Sequence, residues 1–130
     1  MTFSNEDLIN YRTSRSLETL KEAKILIQNA CWNASVNRIY YACYYAVSAL
    51  LLKTDIGSNS HKGIRQMFGL HFVKKGLVSK NDGRFFSDLY DRRQTGDYDD
   101  FVLYDEEIVK IFFHEAEGFI QRIIVLIDQH

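Results

Sequence analysis

The residues best suited to chemistry are gathered in Arg92-Arg93-Gln94-Thr95-Gly96-Asp97-Tyr98-Asp99-Asp100-Phe101, where an apolar helical pattern ends in two arginines and passes into an acidic, aromatic loop. Guanidinium groups stay charged at physiological pH and present a planar fork of donors that matches phosphate or carboxylate. Beside carboxylates and phenols they hold a phosphate, order a partner strand or pin their own loop. At about 100° per residue, Arg93 follows Leu89 by four positions and Phe86 by seven, so it projects from the apolar stripe toward the core, while Arg92 falls on the flank. An inward arginine must be paired or hydrogen-bonded. Asp97 is its nearest partner in sequence, and Asn37, Arg38 and Tyr41 offer further polar atoms if their helix packs alongside. Arg92, Arg93, Arg38, Asn37 and Tyr41 are therefore the candidate binding residues, and Arg93, Asp97 and Tyr98 the candidates for any catalysis. An Arg93–Asp97 ion pair that merely closes the helix is the competing structural explanation.

Other chemistries find less support in the chain. Cys31 and Cys43 have no second Cys or His at metal-ligand spacing, so no zinc site is expected and both read as buried free thiols. The glycines lack phosphate-loop or dinucleotide spacing, which leaves side chains, above all arginines, to hold any nucleotide; no cofactor is implied. His61, which follows a capping serine, His114 and His130 read as solvated surface residues. Arg65 and His71 stand six apart on one helical segment. Tyr40, Tyr41, Tyr44 and Tyr45 read as core or interface before they read as a base-stacking platform. Asp99, Asp100 and Phe101 read as a solvated loop.

The elements that must position these groups are helical. Proline is absent and only 7 glycines occur in 130 residues, which favours a few long helices over many strands, and the length suits a single domain over residues 1–130. Ser4 with Glu6 and Asp7 starts a first helix running toward Ala30. Asn33 or Ser35 begins a second, closed by the segment containing Gly57. Its apolar positions Val36, Ile39, Tyr40, Cys43, Val47, Leu50 and Leu51 are backed by Tyr41, Ala42, Tyr45, Ala46 and Ala49, leaving almost no solvated side. Such a helix is central to a bundle or buried between subunits. Ser60 caps a short third helix, Lys74-Lys75-Gly76 is a turn, Asn81 or Asp82 caps a fourth helix ending near Arg93, and Asp105 starts the last, with the stripe Ile108, Phe112, Ala116, Phe119, Ile120, Ile123 and Ile127. The expected fold is all-α, an up-down bundle of about five helices.

Charge is distributed unevenly. Residues 61–93 carry eight basic and three acidic side chains, net +5, whereas 97–117 carry eight acidic and one basic, net −7. A dipolar chain of this kind suits self-association or a basic local site. No apolar run approaches the length of a bilayer span, and the N-terminus has no basic region followed by an apolar one, so no membrane role and a soluble, cytoplasmic protein are expected.

Two segments carry a family resemblance. Asn37-Arg38-Ile39-Tyr40-Tyr41-Ala42-Cys43-Tyr44-Tyr45-Ala46-Val47-Ser48-Ala49-Leu50-Leu51 is similar to the long aromatic second helix of HEPN domains, the higher eukaryotes and prokaryotes nucleotide-binding family. Leu89-Tyr90-Asp91-Arg92-Arg93-Gln94-Thr95-Gly96-Asp97-Tyr98 resembles that family's Arg-x-x-x-Asp-Tyr subgroup of small stand-alone proteins. The resemblance implies a HEPN-like bundle that forms a homodimer, brings the arginine motifs of two subunits around a shared cleft, and works beside a minimal nucleotidyltransferase as a toxin–antitoxin-like pair. Many members are metal-independent RNases or toxins whose motif is an arginine followed four to six residues later by a histidine. Here Asp97-Tyr98 stand in that place, and an aspartate beside arginine is a poor proton shuttle near neutrality.

The function expected from the sequence is therefore a nucleotide- or RNA-binding module. The alternatives are an endoribonuclease toxin in which Asp97 or Tyr98 replaces the histidine, and a structural dimer whose second helix is its interface.

Overall fold

The computed structural model describes residues 4–58, 60–98 and 103–130, with residues 94–98 described by their backbone alone. Five helices run in the order α1 (Asn5–Gln28), α2 (Trp32–Lys53), α3 (His61–Phe68), α4 (Lys80–Tyr98) and α5 (Glu106–Gln129), and there is no strand among the described residues. A π-helical turn, Gly69–Val73, extends α3. The expected all-α fold of about five helices is the observed one.

Three helix starts follow the chemistry read from the sequence. Ser4 Oγ accepts from Asp7 N while the Asp7 carboxylate accepts from Ser4 N, a reciprocal cap. Ser60 Oγ accepts from Gly63 N and Asp105 Oδ1 from Ile108 N. The other boundaries shift. Trp32 opens α2 behind Cys31, which gives no side-chain cap, so neither Asn33 nor Ser35 starts it. Ser79 caps α4 through Asp82 N at 3.0 Å, ahead of the expected Asn81 or Asp82. α4 also continues five residues past Arg93, so the two arginines lie inside a helix and not at its end. The turn expected at Lys74–Gly76 is present, and Gly76 has φ +78°, a conformation that favours a residue without Cβ.

α2 is the central element, with 12 of its 22 residues buried, including Ile39, Tyr40, Cys43, Val47, Leu50 and Leu51. This burial is achieved within one chain, as expected for the central helix of a bundle. α5 covers one side with Phe112, Ala116, Phe119, Ile120, Ile123 and Ile127, each large apolar side chain contributing about 1.5–3 kcal/mol by leaving water. Val109 is buried where Ile108 was expected, because the stripe enters the core one position later.

α1 approaches α2 through small residues. Ser16, Thr19 and Ala23 are buried on α1, as Ala42, Ala46 and Ala49 are on α2. Ser16 Oγ donates to the Ala42 carbonyl at 2.6 Å, and an Arg12 guanidinium nitrogen donates to Ser48 Oγ at 2.7 Å. The sparse apolar stripe of the first helix thus reflects close backbone approach sealed by hydrogen bonds. Of the two cysteines, Cys43 is buried and Cys31 is exposed at the α1–α2 turn, so the expectation of two buried thiols holds only for Cys43.

A larger side chain at this seam must force the helices apart. Ser16→Leu is expected to lower unfolding free energy by about 1–3 kcal/mol, read as a shift in the urea midpoint at constant slope; wild-type stability would show that the seam has room to spare.

Candidate functional site

The site is built where α2, α3 and α4 meet. Tyr40 is fully buried, whereas Tyr41, Tyr44 and Tyr45, one to five residues further along α2, are half-buried and bring the edge of the aromatic core to the surface. Their rings interlock: Tyr40 meets Tyr41 edge-on at 5.2 Å between centroids, Tyr41 meets Tyr44 at 6.0 Å, and Tyr40 stacks on Phe86 of α4 at 6.0 Å. Offset and edge-on pairs of this kind fix ring orientation as well as burying area.

Arg93 reaches this cluster as its helical position predicts. Its guanidinium lies 5.2 Å from the Tyr40 ring centroid, 5.8 Å from Tyr41 and 5.9 Å from Tyr90, and its NH1 donates to the Tyr41 hydroxyl at 3.4 Å. Arg38 comes from the other side. Its guanidinium sits 5.0 Å from the Tyr41 ring, donates through Nε and NH2 to Asn37 Oδ1 at 3.1 and 2.8 Å, and pairs loosely with Glu22 at 3.7 Å. Four of the five expected binding residues, Arg93, Arg38, Asn37 and Tyr41, are therefore together, with one tyrosine ring between two guanidinium groups.

Arg92 is not part of the group. One position further round the helix, it turns toward α5, where its Nε donates to Asp88 Oδ2 at 2.9 Å and its guanidinium lies 5.1 Å from the Phe112 ring. Its carbonyl accepts from the Tyr104 hydroxyl at 3.0 Å, so Arg92 helps seat the start of α5. The inward and flanking positions expected for the two arginines are both observed, and the flanking one faces away from the site. The expected Arg93–Asp97 pair, the catalytic roles considered for Asp97 and Tyr98, and the loop Asp99–Phe101 fall outside the described side chains.

His61 is the residue that the sequence reading misplaced. It is half-buried, with its ring stacked 4.3 Å from Tyr44 and 5.8 Å from Tyr40, edge-on to Tyr41 at 5.5 Å, and its Nδ1 shares a hydrogen bond of 2.9 Å with the Tyr40 hydroxyl. Burial, and then the nearby charge of Arg93, hold its pKa below the usual imidazole value. Burial likewise pushes the Tyr40 phenol well above its ordinary value, so Tyr40 stays protonated. The signal for His61 was available: His61, Ile64 and Phe68 recur at spacings of three and four, and the latter two are buried. By contrast His114 and His130 are exposed, as expected. His71 lies in the π turn, and no described hydrogen bond joins it to Arg65.

Chemically, the cluster offers two fixed cations, a phenol hydroxyl and an uncharged imidazole at a half-buried surface. It can bind an anion, orient it against aromatic faces and exchange a proton with it. Among the described residues no group of His, Cys, Asp or Glu is arranged to hold a metal ion, and no helix is long and apolar enough to cross a membrane.

Known proteins share this chain's sequence over most of its length. A UPF0332 protein of Thermotoga maritima is 42% identical over 95% of this chain and 93% of its own. Two proteins of Methanocaldococcus jannaschii, each bearing the name "Putative toxin", are 38% identical over 82% of this chain and 78% of their counterpart, and 29% identical over 81% and 71%, respectively. Residues 9–126 match the HEPN domain. With five helices in place and the two resembling segments packed against each other through Arg93 and the α2 tyrosines, the chain belongs to the HEPN domain family.

Proposed function

We propose that the chain is a phosphate-holding HEPN module that binds nucleotide or RNA at the Arg93–Tyr41–Arg38 cluster, acts as a homodimer and is paired with a minimal nucleotidyltransferase in a toxin–antitoxin-like system. One observation carries it: two guanidinium groups flank the half-buried Tyr41 ring at 5.0 and 5.8 Å. Core packing does not require a second cation there, whereas a phosphate with an adjoining base uses both cations and the ring. The two relatives named as toxins support the toxin-like setting. Exposed apolar residues on α1, among them Tyr11, Leu17 and Ile25, offer surface for a second copy.

A second reading, a metal-independent endoribonuclease, gains support from His61. In the tautomer that carries its proton on Nδ1 and donates it to the Tyr40 oxygen, Nε2 of the neutral imidazole accepts a proton, the role left vacant on α4 by Asp97-Tyr98. Cleavage of RNA by wild-type protein that is lost in His61→Gln, with binding retained, separates this reading from binding alone.

Arg93→Ala should weaken binding of a labelled ribonucleotide or oligoribonucleotide by about 10- to 100-fold, the loss of a charge-assisted hydrogen bond of about 1.5–3 kcal/mol. Arg38→Gln should weaken it in the same direction, and affinity should fall with salt. Unchanged, salt-insensitive binding in both variants would overturn the proposal. The lowered pKa of His61 gives a second test. Between that lowered value and about 6.5 the unfolded chain binds the proton and the folded chain does not, so stability declines as pH falls through this window and the loss is complete below it. His61→Gln should flatten this slope in urea titrations, and nuclear magnetic resonance of wild type should show the His61 pKa rising when phosphate binds.

A further inference from the structure

We infer that a single RNA strand bound at Arg93 continues into a second, basic groove between the π turn and α4, where Lys80, Arg84 and Arg65 hold its backbone phosphates. The groove has a volume of about 310 Å³ and lies between Arg65 on one wall and Lys80, Arg84 and Ser87 on the other. Spacings of four and three put the last three on one face of α4.

Three cations and no carboxylate line it, and among the described residues only Arg65 of the three has an ion-pair partner. Residues 61–87 contribute Lys62, Arg65, Lys74, Lys75, Lys80 and Arg84 against Asp82 alone, and the Asp82 carboxylate is occupied by Arg122 through two hydrogen bonds of 2.8 and 2.9 Å. Among the described residues neither Lys80 nor Arg84 has an ion pair, and both are exposed. Arg65 pairs with exposed Asp91 at 3.3 Å. Cations that project into a groove without carboxylate partners gain by neutralising phosphates.

The groove has a built floor. A Cβ on Gly83 would come within 2.9 Å of Val73 Cγ2, so α4 lies flush against the π turn, while a Cβ on Gly69 would meet nothing within 4 Å and would enter the open groove. π-helical turns are rare and recur at functional sites.

The groove also leads to the site. The Arg65 guanidinium lies 4.4 Å from one ring, Tyr90, whose centroid is 5.9 Å from Arg93. A volume near the lower end of the roughly 300–1,000 Å³ of small-ligand sites admits one nucleotide-sized group and no duplex. This continuation rests on the phosphate-binding reading of Arg93, and the experiment keeps the two apart.

The probe is fluorescence anisotropy with a labelled oligouridylate of about a dozen nucleotides, beside calorimetry with uridine monophosphate. Lys80→Glu combined with Arg84→Glu should weaken the oligonucleotide at least tenfold and make its salt slope shallower by about one to two, leaving the mononucleotide unchanged. Gly69→Glu, at a helical backbone position with open space, should do the same without removing a cation. Wild-type oligonucleotide affinity in both variants overturns the groove. The Arg93 reading survives that result if Arg93→Ala still weakens both ligands, and falls with the groove if wild type binds neither. Duplex RNA bound as tightly as the single strand overturns the inference, as does a change in oligomeric state without a change in RNA affinity, which would assign the groove to the acidic 97–117 segment of a second copy.

Discussion

α2 has almost no face that water can solvate, and the rest of the molecule is arranged to cover it. A helix apolar on every side is stable only when neighbours exclude water all round it. α5 supplies the broad apolar cover, and α1 supplies a thin one made of serine, threonine and alanine. α3 and α4 close the remaining side, where the covering side chains are aromatic: Phe86 of α4 stacks on Tyr40, and Phe86, Phe68 of α3 and Phe119 of α5 meet one another, at centroid distances between 5.5 and 6.1 Å. The candidate site lies where this aromatic cover is incomplete, so it belongs to the packing of the core and is held on rigid elements.

At that edge arginine does what no apolar residue could. Tyr41, Tyr44 and Tyr45 present ring faces that are too apolar for water and too exposed to be core, and guanidinium groups satisfy both demands because their flat faces are weakly hydrated while their edges donate hydrogen bonds. Arg15 on Tyr45, Arg38 on Tyr41 and Arg65 on Tyr90 repeat the arrangement at 5.5, 5.0 and 4.4 Å. Each cation is held in place by a ring and by a neighbouring carboxylate, Glu18 for Arg15, Glu22 for Arg38 and Asp91 for Arg65. Lysine would lose both the stacking and the fork.

Much of this was legible in the chain. The breadth of apolar positions on α2 announced its burial, and helical spacing separated inward Arg93 from flanking Arg92, because periodicity reports burial directly. Helix ends were less legible. α4 is capped by a serine that lies two residues before the expected Asn81 and runs through Gly96, since its length is set by what it packs against and local breakers only weaken it. The destination of Arg92 depended on where α5 starts, information carried by Tyr104 a dozen positions away. His61 was misjudged because a cap serine places it at a helix start, where exposure is usual, while its ring packs backward over the tyrosines of another helix.

The histidine missing from α4 acquires a different significance once His61 is placed. A phosphate site needs its cations charged and any proton-handling group poised, and these demands conflict when the imidazole sits beside guanidinium, because each positive neighbour drives its proton away. Putting the imidazole on α3, stacked on Tyr44 and hydrogen-bonded to Tyr40, lets burial and Arg93 favour its neutral form. A phosphate that neutralises Arg93 removes part of that pressure, and its own negative charge reverses the sign of the local field. In the proposed phosphate complex the imidazole would bind a proton more readily than without ligand, so the proposal couples anion binding to proton uptake through the charge of one arginine.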